Sequence, residues 1–164
     1  VDDSPSRTVS EIAAAARRIH RRQERLGLIV IDYLQLIEPD NSRDPRQEQV
    51  AKIARRLKGL ARDLDVPVLC LAQLNRQTED SRDHRPRLSH LRESGAIEQD
   101  ADVVMFLYRQ WIYSREEDDR GKAQIIIAKQ RNGPTGTVNV TFIDRFARFE
   151  NMSVYESEET AVPF

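Results

Sequence analysis

The chain has 164 residues, 39% hydrophobic and 32% charged, which supplies apolar material for a single core and one folded domain. Its 26 basic residues are offset by 27 acidic ones, so a globally basic nucleic-acid binder is excluded and any contact with a polyanion must come from local clusters. The lone cysteine, Cys70, excludes a disulfide framework. With no apolar run near the roughly 20 residues of a membrane span and an acidic start, Val1-Asp2-Asp3, a soluble protein in a reducing, cytoplasmic setting is expected.

Thr8-Val9-Ser10-Glu11 has capping-box spacing, and Ile12, Ala15, Ala16 and Ile19 then recur at helical intervals, predicting a first helix over about Ser10 to Arg25. Leu28-Ile29-Val30-Ile31 is a short, β-branched apolar run that fits a strand buried on both faces and ends at Asp32. A polar loop follows around Pro39 to Pro45. Val50, Ile53, Ala54, Leu57, Leu60, Ala61 and Leu64 then keep the i, i+3, i+4, i+7 rhythm of a four-turn amphipathic helix.

Val66 to Ala72 reads as a second buried strand, with Pro67 near its beginning, and it stops at the polar Gln73. Residues 74–88 form a long exposed loop leading to a short helix near Ser89. Val103 to Tyr108 is a third strand, Arg109 to Gly121 a charged loop, and Ala123 to Ala128 a fourth strand. The turn Asn132-Gly133-Pro134-Thr135-Gly136 returns the chain into an alternating strand over Thr137 to Phe142. Residues 1–150 are thus expected to form one α/β domain, a mainly parallel sheet flanked by helices with an antiparallel hairpin at one edge, and 151–164 an acidic tail.

In such sheets ligands gather at the carboxyl ends of the strands, where Asp32, Gln73 and Lys129 all fall. An apolar strand ending in aspartate is the minimal pattern for a rigid carboxylate that binds Mg²⁺ beside nucleotide phosphates; an Asp32 that merely caps the next turn is the alternative. Gln73, neutral and at the next strand end, can sense a γ-phosphate or orient water, or else satisfy loop backbone. Lys129 and Arg131 share one side of extended chain and suit a phosphate, including one on a neighbouring subunit; surface salt bridges are the bland alternative.

Arg92-Glu93-Ser94-Gly95 joins a phosphate-seeking cation to a glycine that admits another backbone, and it reads equally as an ion pair followed by a C-cap glycine. The arginines at 17, 18, 21, 22 and 25 read as a solvated face, and Trp111 and Tyr113 as packing residues more readily than as base-stacking ones.

Four segments in this order and spacing resemble the DnaB family of bacterial replicative helicases: Ile29 to Leu36, Leu71 to Arg76, Leu91 to Asp102 and Lys129 to Pro134. The likeness runs from about Thr8 to Asn151. It implies a partial RecA-like motor domain within a homohexameric ring that hydrolyses ATP between subunits and moves 5′ to 3′ on single-stranded DNA, with primase and a helicase loader as partners. By that resemblance Asp32 is the Mg²⁺ residue, Gln73 the phosphate sensor, and Lys129 and Arg131 reach the neighbour's ATP, Arg131 as the finger. Arg92, Glu93 and Gly95 touch the DNA backbone.

All of this requires the acid, the amide and the two cations to converge at one rim of a single sheet. The six glycines, at 27, 59, 95, 121, 133 and 136, supply no G-x-x-x-x-G-K-[ST] loop, and the family's catalytic glutamate is expected upstream of Val1. The fragment alone is therefore expected neither to hold ATP tightly nor to hydrolyse it. The competing readings are a non-catalytic RecA-like module that contacts DNA, loader or primase, and a recombinase-like filament ATPase.

Overall fold

Thr8 and Glu11 cap each other as their spacing requires, and helix α1 (Val9–Arg22) follows. The Glu11 N–H donates to Thr8 Oγ1 at 3.3 Å, while Glu11 Oε2 accepts the Thr8 N–H at 2.8 Å and its hydroxyl at 2.9 Å. In this computed structural model the residues described are 1–4, 6–22, 26–75, 83–91 and 95–152. The expected end of the first helix, at Arg25, and most of the acidic tail lie outside them.

Strand β1 (Ile29–Ile31) leads through a 3₁₀ turn at Leu34–Leu36 to helix α2 (Arg46–Leu64) and strand β2 (Val68–Cys70). The two strands pair in parallel, Ile29 opposite Val68 and Ile31 opposite Cys70. Helix α2 buries the stripe Val50, Ile53, Leu57 and Leu60 that its periodicity marked, and Asp65 ends it in the left-handed region at φ 51°. Val9, Leu34, Ile37, Val50, Ile53 and Leu57 make one core cluster, against which Ile31 and Cys70 pack.

Both strands are shorter than expected, and burial on both faces is not realised. Val30 is 56% exposed and its cross-strand partner Leu69 41% exposed. Helix α2 covers the face of Ile31 and Cys70, and among the described residues nothing covers the other.

The second half is a four-stranded antiparallel sheet in the order β3-β4-β5-β6, built from Val103–Tyr108, Lys122–Gln130, Gly136–Ile143 and Arg148–Asn151. The α/β class with a parallel part and an antiparallel part is as expected, but the antiparallel part exceeds a hairpin. On β3, Val104, Phe106 and Tyr108 are buried while Val103, Met105 and Leu107 face outward. A short helix, α3 (Gly95–Asp100), precedes β3, and another, α4 (Trp111–Ser114), follows it.

Ile97 of α3 packs against the first core cluster and also against the second, formed by Leu91, Val104 and Phe106, so this one side chain joins the halves. Arg55 of α2 pairs with Asp100 at 3.8 Å, and Lys58 with Asp102, on the same seam.

Candidate nucleotide rim and nucleic-acid contacts

Asp32 follows β1 directly and Gln73 lies three residues past β2, both at the carboxyl end of the parallel pair. The ladder continues beyond the strands: the Leu71 N–H donates to the Ile31 carbonyl and the Leu34 N–H to the Leu71 carbonyl, each at 2.9 Å. Next comes a side chain. Gln35 Oε1 accepts the Gln73 N–H at 3.3 Å, and Gln35 Nε2 donates to the Gln73 carbonyl at 3.4 Å. The structure therefore brings Asp32 and Gln73 to one rim.

Both residues are exposed, and among the described residues no hydrogen bond or ion pair engages the Asp32 carboxylate. A free, exposed carboxylate fits Mg²⁺, which keeps several waters and takes its other ligands from substrate phosphates. No cluster of three or more His, Cys, Asp or Glu occurs among the described residues, so an all-protein metal cage is not the alternative there.

Lys129 and Arg131 lie elsewhere, at the end of β4 and just past it. Lys129 Nζ donates to the Glu98 carbonyl and, at 3.2 Å, to that of Gln99; Arg131 Nη2 also donates to the Gln99 carbonyl. The two cations cap the carboxyl end of α3, where orphan carbonyls and the helix dipole favour positive charge. Arg131 Nε also stands 3.4 Å from Asp102 Oδ1, and its backbone N–H donates to the Asp102 carbonyl at 2.9 Å. Lys58, donating to the Asp102 carboxylate, holds that carboxyl below its ordinary value of 3.8, with the charges of Arg131 and Lys129 adding to the effect.

Convergence of all four residues at one rim of one sheet is thus corrected. Asp32 and Gln73 sit on the parallel pair, Lys129 and Arg131 on the antiparallel sheet, and among the described residues no hydrogen bond or ion pair joins the two groups. Among the described residues no strand pairing joins β2 to β3, and α3 lies between them in the chain.

Gly95 begins α3 and is exposed, so the C-cap alternative for it is overturned. Among the described residues a Cβ added there would meet nothing within 4 Å, so no packing among them requires glycine. Arg92 and Glu93 lie outside the described residues. The approach to them is fixed by a bridge between Leu74 and Leu91 and by the Asn75 N–H donating to the His90 carbonyl at 2.9 Å.

Tyr113 stacks on His84 at 4.5 Å, and Arg115 lies over the Trp111 ring at 4.9 Å, so both aromatic residues are used in packing. Arg17, Arg18, Arg21 and Arg22 line an open depression of about 420 Å³ on α1, and Arg17 pairs with Asp63 at 3.2 Å. Sequence reasoning passed over Gln35, Lys58 and Asp102. The one signal for Gln35 was an amide interrupting the apolar run Leu34 to Ile37.

Comparison with known proteins identifies the family of the chain. The family described as DnaB-like helicase C terminal domain matches residues 1–151. Over 153 residues the chain is 51% identical to the replicative DNA helicase DnaB of Geobacillus stearothermophilus, covering 93% of this chain and 34% of that protein. It is 50% identical, over the same length and shares, to the replicative DNA helicase DnaC of Bacillus subtilis. The chain thus spans about a third of the length of these curated relatives.

Among solved structures, one described as an ATPase domain matches with a TM-score of 0.87 at 44% identity, covering 90% of this chain and 52% of that one. A DnaB-like replicative helicase, described with its interactions with primase, matches with a TM-score of 0.89 at 44% identity, covering 93% and 36%. The fold shared with these chains is the RecA-like one.

Proposed function

Since this chain belongs to the DnaB-like helicase C terminal domain family, we propose that it is the carboxyl-terminal part of the ATP-driven motor of a replicative DNA helicase. The observation that carries the reading is the placement of Asp32 and Gln73 at the carboxyl ends of two parallel strands, with the Asp32 carboxylate uncommitted among the described residues. Asp32 would hold Mg²⁺ beside the phosphates of ATP, where the ion would offset phosphate charge, and Gln73 would read the γ-phosphate.

Lys129 and Arg131, away from that rim, act on the ATP of an adjoining subunit, with Arg131 as the finger that neutralises charge in the transition state. The requirement of one shared rim narrows to Asp32 and Gln73, because a cation that acts on a neighbouring subunit's nucleotide in a homohexamer has no need to approach its own Asp32; the different sheet that carries Lys129 and Arg131 is not itself support for the trans role. Arg92, Glu93 and Gly95 contact single-stranded DNA by its backbone, without sequence readout. The exposure of Gly95, with no described atom within 4 Å of a Cβ added there, supports close approach of a strand. Primase and a loader are the protein partners, and the setting is the cytoplasm; no helix among the described residues is long and apolar enough to cross a membrane.

The test is ATP turnover and duplex unwinding by the full-length protein with and without Arg131→Ala. Loss of turnover on the order of 10³-fold, with nucleotide binding intact, is the expected result. Unchanged turnover would leave Arg131 as a helix-capping surface residue and remove the motor role assigned to it.

A further inference from the structure

The structure assigns Gln35 as the positioning residue of Gln73, an inference that rests on the phosphate-sensing role proposed for Gln73. The last main-chain rung between the two parallel segments is the Leu34 N–H on the Leu71 carbonyl, at 2.9 Å. There the chain after β1 turns into its 3₁₀ turn, Leu34–Leu36, and its backbone leaves the ladder. The Gln35 carboxamide supplies the next rung. It offers the same acceptor and donor as a peptide unit, and it uses both on one residue: Oε1 toward the Gln73 N–H at 3.3 Å and Nε2 toward the Gln73 carbonyl at 3.4 Å. Held at both backbone groups, Gln73 has its Cα–Cβ direction set by Gln35.

Gln35 is itself anchored. Its carbonyl accepts from Arg46 Nη2 at 3.2 Å, and Arg46 Nη1 donates to Oε1 of the buried Gln49, also at 3.2 Å. Gln49 Nε2 in turn donates to the Asp44 carbonyl at 2.8 Å. The anchor is therefore the first turn of α2, independent of β2. The residue that would sense phosphate is thus tied to the segment that carries Asp32, three residues before Gln35.

On its far side Gln73 leads into Leu74, bridged to Leu91, and Asn75, bonded to the His90 carbonyl, next to the segment that begins at Arg92. A shift of the Asp32 segment reaches Leu71 through main-chain hydrogen bonds and Gln73 directly through the Gln35 side chain, and beyond Gln73 it meets the hydrogen bond from Asn75 to His90. Gln35 touches no substrate in this scheme. It fixes the residue that does, and the one-ångström errors that follow its loss are of the kind that cost turnover more than affinity.

The experiment compares Gln35→Met, which keeps length and volume but neither hydrogen bond, with Gln35→Glu, which can accept the Gln73 N–H but cannot donate to the carbonyl. Both are made in the full-length protein beside Gln73→Ala and the double variant Gln35→Met/Gln73→Ala. ATP turnover is read with and without oligothymidylate, together with KM for ATP and the melting temperature.

The expected result for Gln35→Met is a kcat lower by ~10- to 100-fold with unchanged KM and melting temperature. Gln35→Glu should fall between it and wild type, and the double variant should be no worse than Gln73→Ala alone. Wild-type kcat in Gln35→Met, or losses that add in the double variant, would overturn the assignment. Should Gln35→Met fail to fold, Gln35→Glu decides, since wild-type kcat there has the same meaning. A Gln73→Ala protein with wild-type turnover would instead refute the role proposed for Gln73, a failure distinct from that of Gln35.

Discussion

The Arg131 guanidinium rests on the Asp102 carboxylate, Nε to Oδ1 at 3.4 Å, while the Arg131 backbone N–H donates to the Asp102 carbonyl at 2.9 Å. The main-chain contact lies next to the first rung between β3 and β4, Val103 opposite Gln130, and so fixes where the chain leaves β4. The side-chain contact is exposed and shared with Lys58, and exposed pairs of this kind contribute about 0–1 kcal/mol. Release of the guanidinium toward a neighbouring phosphate gives up this weak pair and the hydrogen bond to the Gln99 carbonyl, whereas displacement of its backbone would disturb the sheet.

Asp102→Asn is accordingly expected to cost less than about 1 kcal/mol in urea denaturation at neutral pH. The sign with pH follows from the lowered carboxyl. Its stabilising contribution is fully present above the ordinary value of 3.8 and is lost as pH falls through the lower folded value. The gap between wild type and Asp102→Asn should close below that range and stay open above it. A gap that widens on acidification would contradict the pairing.

Core positions should behave differently from the open sheet face. Ile53, 3% exposed on α2, sits in the first cluster, and Ile53→Ala is expected to destabilise by ~2–5 kcal/mol through lost burial and the cavity left behind. Leu69, 41% exposed, has little to lose, so Leu69→Ala should cost well under ~2 kcal/mol. Denaturant midpoints of the two variants check the order, and equal costs would mean that Leu69 is covered in solution.

Thr8→Ala removes the hydroxyl that accepts the Glu11 N–H, and loss of such a cap costs about 1 kcal/mol. Amide exchange in the first turn of α1 should quicken, with little change in β4 and β5. Uniform loss of protection across both sheets would show instead that this cap governs global stability.

Burial pushes the Cys70 thiol up to about 12. At pH 8 a thiolate fraction on the order of 10⁻⁴ remains, and reaction with a disulfide reagent should be roughly 10³-fold slower than in the urea-unfolded chain. Equal rates would place the sulfur in water.

The 164 residues contain no phosphate-cradling loop, and binding of a fluorescent ATP analogue to them is expected to be no tighter than about 1 mM. Micromolar affinity would show that Asp32, Gln73 and their surroundings hold the phosphates without it.

Periodicity was a good guide where an element meets one large apolar surface. The stripe Val50, Ile53, Leu57 and Leu60 marked α2; the alternation in Thr137 to Phe142 also marked β5, observed as Gly136–Ile143, although Val140 is its one buried residue and Val138 is exposed. Short elements were legible only in part: the short helix expected near Ser89 is the 3₁₀ turn Leu88–His90, but α3 and β6 were not foreseen. The six residues of α3 are too few to show a period, and glycine at its start reads as a stop signal. β6 is Arg148–Asn151, exposed along its length, and with Phe149 against the Phe142 ring at 4.8 Å as its apolar contact its sequence looks like loop.

Of the site, Asp32 and Gln73 were readable because each ends an apolar run. Lys129 and Arg131 were readable as cations on one side of a strand, but their engagement of the Glu98 and Gln99 carbonyls depends on a helix that the sequence did not reveal. Gln35 was hidden for a related reason, since a side chain that stands in for backbone has no characteristic spacing.

The outward row Val103, Met105 and Leu107 on β3, together with Val30 and Leu69 on the parallel pair, gives this chain two greasy surfaces in water. Dye fluorescence with anilinonaphthalene sulfonate, self-association that rises with concentration, and a broad, shallow melt are what such surfaces produce. A longer polypeptide that laid helices across them would unfold with a steeper transition and a larger heat-capacity step, because the same strands would then withdraw both faces from solvent at once.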